Sequence, residues 1–116
     1  MKRLFYAFRH SLAGIRYAAA HEASFRQELI LFFAALPVAV LVSDSLVMLL
    51  ALMGAIVFMM IVELLNTAVE AVCNGLSRDY MEEIKIAKDC GSAAVLFSVL
   101  SAGTVWLSAL YLRFLA

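Results

Sequence analysis

Hydrophobic positions fall along the chain in three long runs without a single charge: Leu29 to Ser43, Ser45 to Val62 and Cys90 to Leu112. The runs are continuous rather than alternating and are rich in Leu, Ala and Met, which predicts helices rather than strands. A helix needs roughly 20 apolar residues to cross the hydrocarbon core of a bilayer. The last run meets that length outright, the second by continuing past Glu63, and the first by placing Gln27 and Glu28 at the interface. Three transmembrane helices are therefore predicted near residues 28–46, 47–73 and 90–114. Pro37 falls in mid-span, where its missing N–H frees a carbonyl and predicts a kink.

Ahead of the first run the pattern changes. Leu4, Phe8, Leu12 and Ile15 recur at helical spacing, with Arg3, Arg9, His10 and Arg16 around the remaining circumference. That pattern predicts an amphipathic helix lying on a membrane surface, which with its following turn occupies residues 1–27. Arg9 and Arg16 interrupt any apolar core a signal peptide would need, so this segment is expected to stay on the protein. The chain reads as one all-α membrane domain over residues 1–116, with 74–89 as an extramembrane segment between the second and third spans.

Composition sharpens this reading. Hydrophobic residues make up 66% of the chain and charged ones 16%, which excludes an ordinary water-soluble domain. Nine Lys and Arg balance nine Asp and Glu, so there is no basic excess to meet nucleic-acid phosphate and no nucleic-acid partner is expected. The location of the few charges matters more than their sum. Lys2, Arg3, Arg9, Arg16 and Arg26 precede the first span, and Arg78, Lys85 and Lys88 lie between the second and third. The turn at Ser43, Asp44 and Ser45 has no cation. By the positive-inside bias the N-terminus and residues 74–89 face the cytoplasm and the C-terminus, despite Arg113, faces out. Cys73 and Cys90 flank the cytoplasmic segment and are expected to be reduced thiols.

The second span contains Glu63-Leu64-Leu65-Asn66-Thr67-Ala68-Val69-Glu70. Spacings of three, four and seven put Glu63, Asn66, Thr67 and Glu70 on one helix face, and a further step of four reaches Asn74. An ionised carboxylate at membrane depth costs about 2.5 to 3.5 kcal/mol on insertion scales, so such groups must face protein, water, a proton or a metal. The bland reading has Asn66 and Glu70 bonding a neighbouring helix or reaching the interface. Glu63, one to two turns deeper, is the strongest single candidate for chemistry. Level with Glu70 at the cytoplasmic interface lie Glu22, Arg26 and Glu28 before the first span and Lys88 and Asp89 opening the third. Glu22, Glu70 and Asp89 offer oxygen ligands of the kind Mg²⁺ takes alongside substrate phosphates, and Lys88 offers a point charge for phosphate. The plain alternative is an i,i+4 pair between Glu22 and Arg26 with ordinary helix-end charges. No soluble-type phosphate loop, dinucleotide fingerprint, nucleophile elbow, HExxH or CxxC occurs.

Three blocks add to this: Glu22-Ala23-Ser24-Phe25-Arg26-Gln27-Glu28, the ExxNxxxE run from Glu63 to Glu70, and Ala87-Lys88-Asp89-Cys90-Gly91-Ser92-Ala93-Ala94-Val95. In that order and spacing they resemble the small prokaryotic integral-membrane diacylglycerol kinases, over nearly the whole chain. The resemblance implies a homotrimer of the cell inner membrane, each subunit having a surface helix and three spans, with active sites shared between subunits. The implied reaction moves the γ-phosphoryl group of ATP, with Mg²⁺, to the hydroxyl of diacylglycerol to give phosphatidate. The residue matching the general base is Glu63, which also meets the lipid, and Asn66 accompanies it in the catalytic group. Glu22 and Glu70 match the residues that hold metal with ATP. Lys88 and Asp89 match nucleotide contacts, as do Arg3, His10, Asp79 and Tyr80 around the nucleotide, while Glu28 and Ser92 match substrate-side polar positions. Asn74 stands where many members carry aspartate, and His10 where some carry tyrosine.

Two other readings compete. Undecaprenol kinase belongs to the same family and differs in the lipid accepted. A small proton-coupled multidrug transporter, from a different class, would use an intramembrane glutamate for protons and cationic substrate, but it ordinarily needs four spans and leaves the Lys88-Asp89 segment without a role. A non-catalytic anchor leaves Glu63 without one.

Overall fold

The computed structural model describes residues 1–116, and all of its regular structure is helical. Four helices follow in order: α1 (Lys2–His21), α2 (Ala23–Val42), α3 (Leu46–Leu76) and α4 (Glu82–Phe114). The last three are long and apolar enough to cross a membrane. At about 1.5 Å per residue α3 and α4 each exceed 45 Å, against a hydrocarbon core of about 30 Å. Both therefore project beyond the apolar runs that announced them. The helical residues at each end of the 74–89 segment belong to these extensions, and only the turn from Ser77 to Met81 is not helical. α2 likewise starts at Ala23, ahead of its charge-free run.

The break between α1 and α2 is a single residue. Glu22 adopts an extended backbone (φ −114°, ψ 108°), its N–H donating to the Ala18 carbonyl and its own carbonyl accepting from Arg26 N–H. The Arg26 guanidinium reaches back and donates to the carbonyls of Ala19 and Ala20 at 3.0 and 3.1 Å. It thus caps the end of α1, where carbonyls lack intrahelical partners and the helix dipole favours a cation. The i,i+4 pair between Glu22 and Arg26 does not form: the chain's one salt bridge is Lys85 with Asp89. Two carbonyls without intrahelical partners at the end of α1 take the guanidinium instead of the half-buried Glu22 carboxylate.

Ser45 caps α3 by accepting from the Met48 N–H at 3.1 Å, which fits the sharp reversal at Asp44. α2 runs unbroken through Pro37. The apolar core lies toward this reversal, where Ala35 and Ala39 of α2 meet Leu52, Met53 and Ile56 of α3. The two alanines let the backbones approach closely, as small residues do between membrane helices. Trp106 of α4 packs against that cluster and its indole N–H donates to the Leu52 carbonyl at 2.9 Å. The Arg113 Nε donates to the Val42 carbonyl at 3.1 Å, capping α2 from the far end of α4. Only 15 of 116 side chains are buried, and α4 contributes just Ser98 and Ala102 to them. A chain that leaves this much Leu, Ile, Val and Phe uncovered needs an apolar surrounding.

Candidate functional site

α3 places its polar face against the neighbouring helices. Glu63 and Thr67 are buried, and Asn66 and Glu70 are half-buried, so the spacing read from the sequence describes one inward stripe. Thr67 satisfies its hydroxyl on the Glu63 carbonyl at 3.0 Å, the usual back-bond of a threonine in an apolar helix. The Asn66 amide nitrogen donates to Glu70 Oε1 at 3.2 Å, orienting that carboxylate.

The helix packing adds what spacing along α3 does not specify. Glu63 retains 5% of its exposure and Glu28 of α2 7%, and the carboxylate of Glu28 lies within Coulombic range of Glu63. Glu22 and Glu70 also act electrostatically on Glu63. Glu28, Glu22 and Glu70 therefore each bear on Glu63, and only Glu28 shares a cleft wall with it. Glu63 and Glu28 line a cleft of about 270 Å³ with Ser24, Gln27, Met59 and Val95. Glu28 Oε1 is buried without a hydrogen-bond partner, and so is Asn66 Oδ1. Buried polar atoms are nearly always satisfied, so an orphaned carboxylate oxygen in a cleft wall marks a place that accepts a donor.

A second cleft, of about 470 Å³, lies around the turn between α3 and α4. Asp79, Tyr80, Lys88 and Asp89 line it together with Arg78 and Lys85. The four nucleotide-side positions expected on this turn and on α4 are therefore brought together. Lys85 Nζ donates to Asp89 Oδ2 at 2.6 Å, and Lys88 Nζ donates to Asn74 Oδ1 at 2.9 Å. Asp79 N–H is held by Ser77 Oγ at 3.0 Å. Arg3 and His10 stay exposed on α1, outside both clefts, and neither makes a side-chain hydrogen bond within the chain. Ser92 is exposed on α4 and likewise lines neither.

The residues expected to hold a divalent cation are Glu22 and Glu70. No three metal-ligating side chains converge within the chain. Mg²⁺ takes one or two protein carboxylates and completes its shell with water and phosphate oxygens, so two carboxylates suffice in number for such an ion, although neither Glu22 nor Glu70 lines either cleft. Sequence reasoning put Asn74 on the polar face of the second span without its partner, and singled out neither Lys85 nor the close approach at Gly91. Asn74 anchors Lys88; Lys85 pairs with Asp89; and Gly91 lets α4 approach Asn66 so closely that a Cβ there would collide with Asn66 Oδ1. The i,i+4 spacing of Lys85 and Asp89 was a readable signal, whereas the other two depend on how α3 lies against α4. Cys73 is buried and Cys90 exposed, and both are free thiols.

Fold and site together define a polytopic helical membrane protein with a carboxylate cluster beside a cation-lined cleft. The sequence profile described as prokaryotic diacylglycerol kinase matches residues 9–110. The diacylglycerol kinase of Escherichia coli (strain K12) is 36% identical over 112 residues, 97% of this chain and 92% of that protein. The diacylglycerol kinase of Pseudomonas aeruginosa is 36% identical over 106 residues, 91% of this chain and 86% of that protein. That of Haemophilus influenzae is 31% identical over 98 residues, 84% of this chain and 83% of that protein. The chain belongs to the prokaryotic diacylglycerol kinase family. It is a membrane enzyme, a lipid kinase, and as a kinase it works on a nucleotide with a divalent metal.

Proposed function

We propose that this enzyme phosphorylates diacylglycerol, transferring the γ-phosphoryl group of ATP to the free hydroxyl to give phosphatidate, with Mg²⁺ as the metal. The observation that carries the reading is the burial of Glu63 in a cleft wall beside Glu28, with Glu22 and Glu70 bearing on it. Glu63 is the general base: its carboxylate accepts the proton of the lipid hydroxyl as that oxygen attacks phosphorus. Glu28, with its free Oε1, holds and orients the hydroxyl-bearing headgroup; Ser92, outside the cleft, is assigned to the substrate side on the family resemblance alone. Asn66 keeps Glu70 oriented through its amide hydrogen bond. Glu22 and Glu70 are the residues that hold Mg²⁺, which when bound neutralises phosphate charge and orients the transferring group.

On the nucleotide side, Lys88 meets phosphate as a cation, with Asp89, Asp79 and Tyr80 around the nucleoside. Arg3 and His10 complete that site from α1. Phosphoryl transfer asks the protein mainly for in-line positioning and charge neutralisation, and a cleft walled by Glu63 and Glu28 together with one lined by Arg78, Lys85 and Lys88 supports that reading. We place the N-terminus, residues 74–89 and the active site on the cytoplasmic face of the inner membrane, following the cation distribution. α1 lies on the inner leaflet as an amphipathic helix, with Leu4, Phe8, Leu12 and Ile15 toward lipid. The assembly is a homotrimer, in which the uncovered faces of α4 meet lipid and neighbouring subunits.

The test is transfer of labelled γ-phosphate in mixed micelles, offering diacylglycerol and undecaprenol separately, with and without Mg²⁺, beside Glu63→Gln. Mg²⁺-dependent product from diacylglycerol, lost in the variant, supports the proposal. Preference for undecaprenol would reassign the acceptor, and no product from either lipid with folded trimeric protein would overturn it.

A further inference from the structure

The chain breaks its helix at Glu22 without any residue that compels it to. From Tyr17 to Arg26 the sequence contains neither Gly nor Pro, and three of the residues leading into the break, Ala18, Ala19 and Ala20, are of the best helix-forming type. Local preference therefore favours a helix that runs straight through. The buried side chains on either side do not oppose one: Ala18 and Phe25 both retain 1% of their exposure, and seven residues apart they share a face in an unbroken helix too. What an unbroken helix would lose is the pair of bonds made by Arg26. Its Nη1 donates to the Ala19 and Ala20 carbonyls, the groups that would accept from the Ala23 and Ser24 N–H if the helix continued.

We propose that Arg26 is a positioning residue for the active site: by occupying those two carbonyls it holds the break open at Glu22 and so fixes where the Glu22 carboxylate stands. This rests on the metal role of Glu22 proposed above. Glu22 makes no side-chain cap on α2, so its carboxylate is left free, and it is half-buried and near enough to α3 to act on Glu63. The same break turns α1 across α3, where Ser11, Gly14 and Ile15 line a cavity of about 440 Å³ with Leu64, Thr67 and Ala68. A helix continuing through residue 22 would carry α1 off α3 and rotate Glu22 away from its present place.

A proline separates this role from a direct one. Ala23 is exposed and is the first residue of α2, a position where proline is tolerated because that N–H has no intrahelical acceptor. Proline also confines the residue before it to extended backbone, and Glu22 already lies at φ −114°, ψ 108°. Ala23→Pro thus enforces the break by covalent geometry. If Arg26 acts through the break, the proline makes it dispensable; if the guanidinium acts on lipid or nucleotide by its own charge, the proline cannot replace it.

The experiment compares wild type with Arg26→Leu, Ala23→Pro, Arg26→Leu/Ala23→Pro and Glu22→Gln. Mixed-micelle assays give kcat, KM for diacylglycerol and the Mg²⁺ concentration for half-maximal rate, with thermal melting of each variant. Binding of the Mn²⁺ complex of a non-hydrolysable ATP analogue, followed by water proton relaxation, supplies a readout independent of turnover. Arg26→Leu is expected to raise both the Mg²⁺ requirement and the Kd of that complex about tenfold, leaving KM for diacylglycerol unchanged. The double variant should return both to within about twofold of wild type, and Ala23→Pro alone should match wild type. A loss in Arg26→Leu that Ala23→Pro does not recover overturns the inference. Unchanged affinity in Arg26→Leu, with Glu22→Gln weakened, overturns it too, and both results leave the kinase reading standing. Unchanged affinity in Glu22→Gln removes the metal role of Glu22 and the inference with it.

Discussion

Gly91→Ala is the substitution whose outcome the helix packing most sharply constrains. A methyl group at Gly91 would overlap Asn66 Oδ1 and come within 3.4 Å of Asn66 Cγ, so one of two things must give. If the Asn66 side chain rotates, its nitrogen leaves Glu70 Oε1, and a hydrogen bond to a charged group is worth about 1.5 to 3 kcal/mol. If instead α4 moves away from α3, overpacking costs about 1 to 3 kcal/mol. Alanine's better helix propensity returns about 1 kcal/mol in either case. The net expectation is a loss of about 0 to 2 kcal/mol, with activity affected more than stability because Glu70 loses its orienting partner. Removing such a partner typically costs about 10- to 100-fold in metal affinity or activity. The assay is Mg²⁺-dependent phosphotransfer in mixed micelles with the Mg²⁺ concentration for half-maximal rate, beside a thermal melt. The double variant Gly91→Ala/Asn66→Ala relieves the collision but also lacks the bond to Glu70, so its Mg²⁺ response should stay as impaired as that of Gly91→Ala. Gly91→Ala with wild-type melting and a wild-type Mg²⁺ requirement would refute the argument.

Other expectations follow from the same geometry. Glu63→Gln keeps shape but removes the proton acceptor, so kcat should fall about 10²- to 10⁴-fold with little change in KM for MgATP; a kcat within fivefold of wild type would remove Glu63 as base. Arg26→Leu uncaps the Ala19 and Ala20 carbonyls at the end of α1, and hydrogen exchange over α1 should accelerate by roughly tenfold, corresponding to about 1.5 kcal/mol. Unchanged exchange there would show that the cap is dispensable. Trp106→Phe loses the bond to the Leu52 carbonyl and should lower stability by about 1 kcal/mol while leaving nucleotide affinity alone, a separation that unfolding and ligand titrations read directly. Chelation of Mg²⁺ should abolish phosphotransfer reversibly, with full recovery when the ion is returned.

The helical class and the three apolar helices were legible in the chain because a bilayer imposes a length and a composition on anything that crosses it, and three charge-free runs satisfy both. The stripe of Glu63, Asn66, Thr67 and Glu70 was legible for an equally local reason, since 3.6 residues per turn places those positions on one face whatever surrounds them. Helix ends were less visible, because α3 and α4 extend into polar sequence where no hydrophobic boundary marks a stop. The destination of Arg26 was hidden for a similar reason: i,i+4 spacing offers Glu22 as one alternative, but the end of α1 presents two carbonyls that become available only through the break at Glu22. Tertiary structure alone decided that Glu28 faces Glu63 across the α2–α3 contact, that Gly91 admits Asn66 against α4, and that Asn74 takes the ammonium of Lys88. Each depends on the rotation and depth at which one helix lies against another. Those are set by small residues such as Ala35 and Ala39 and by the Trp106 and Arg113 bonds at the opposite end of the bundle, far in sequence from the groups they bring together.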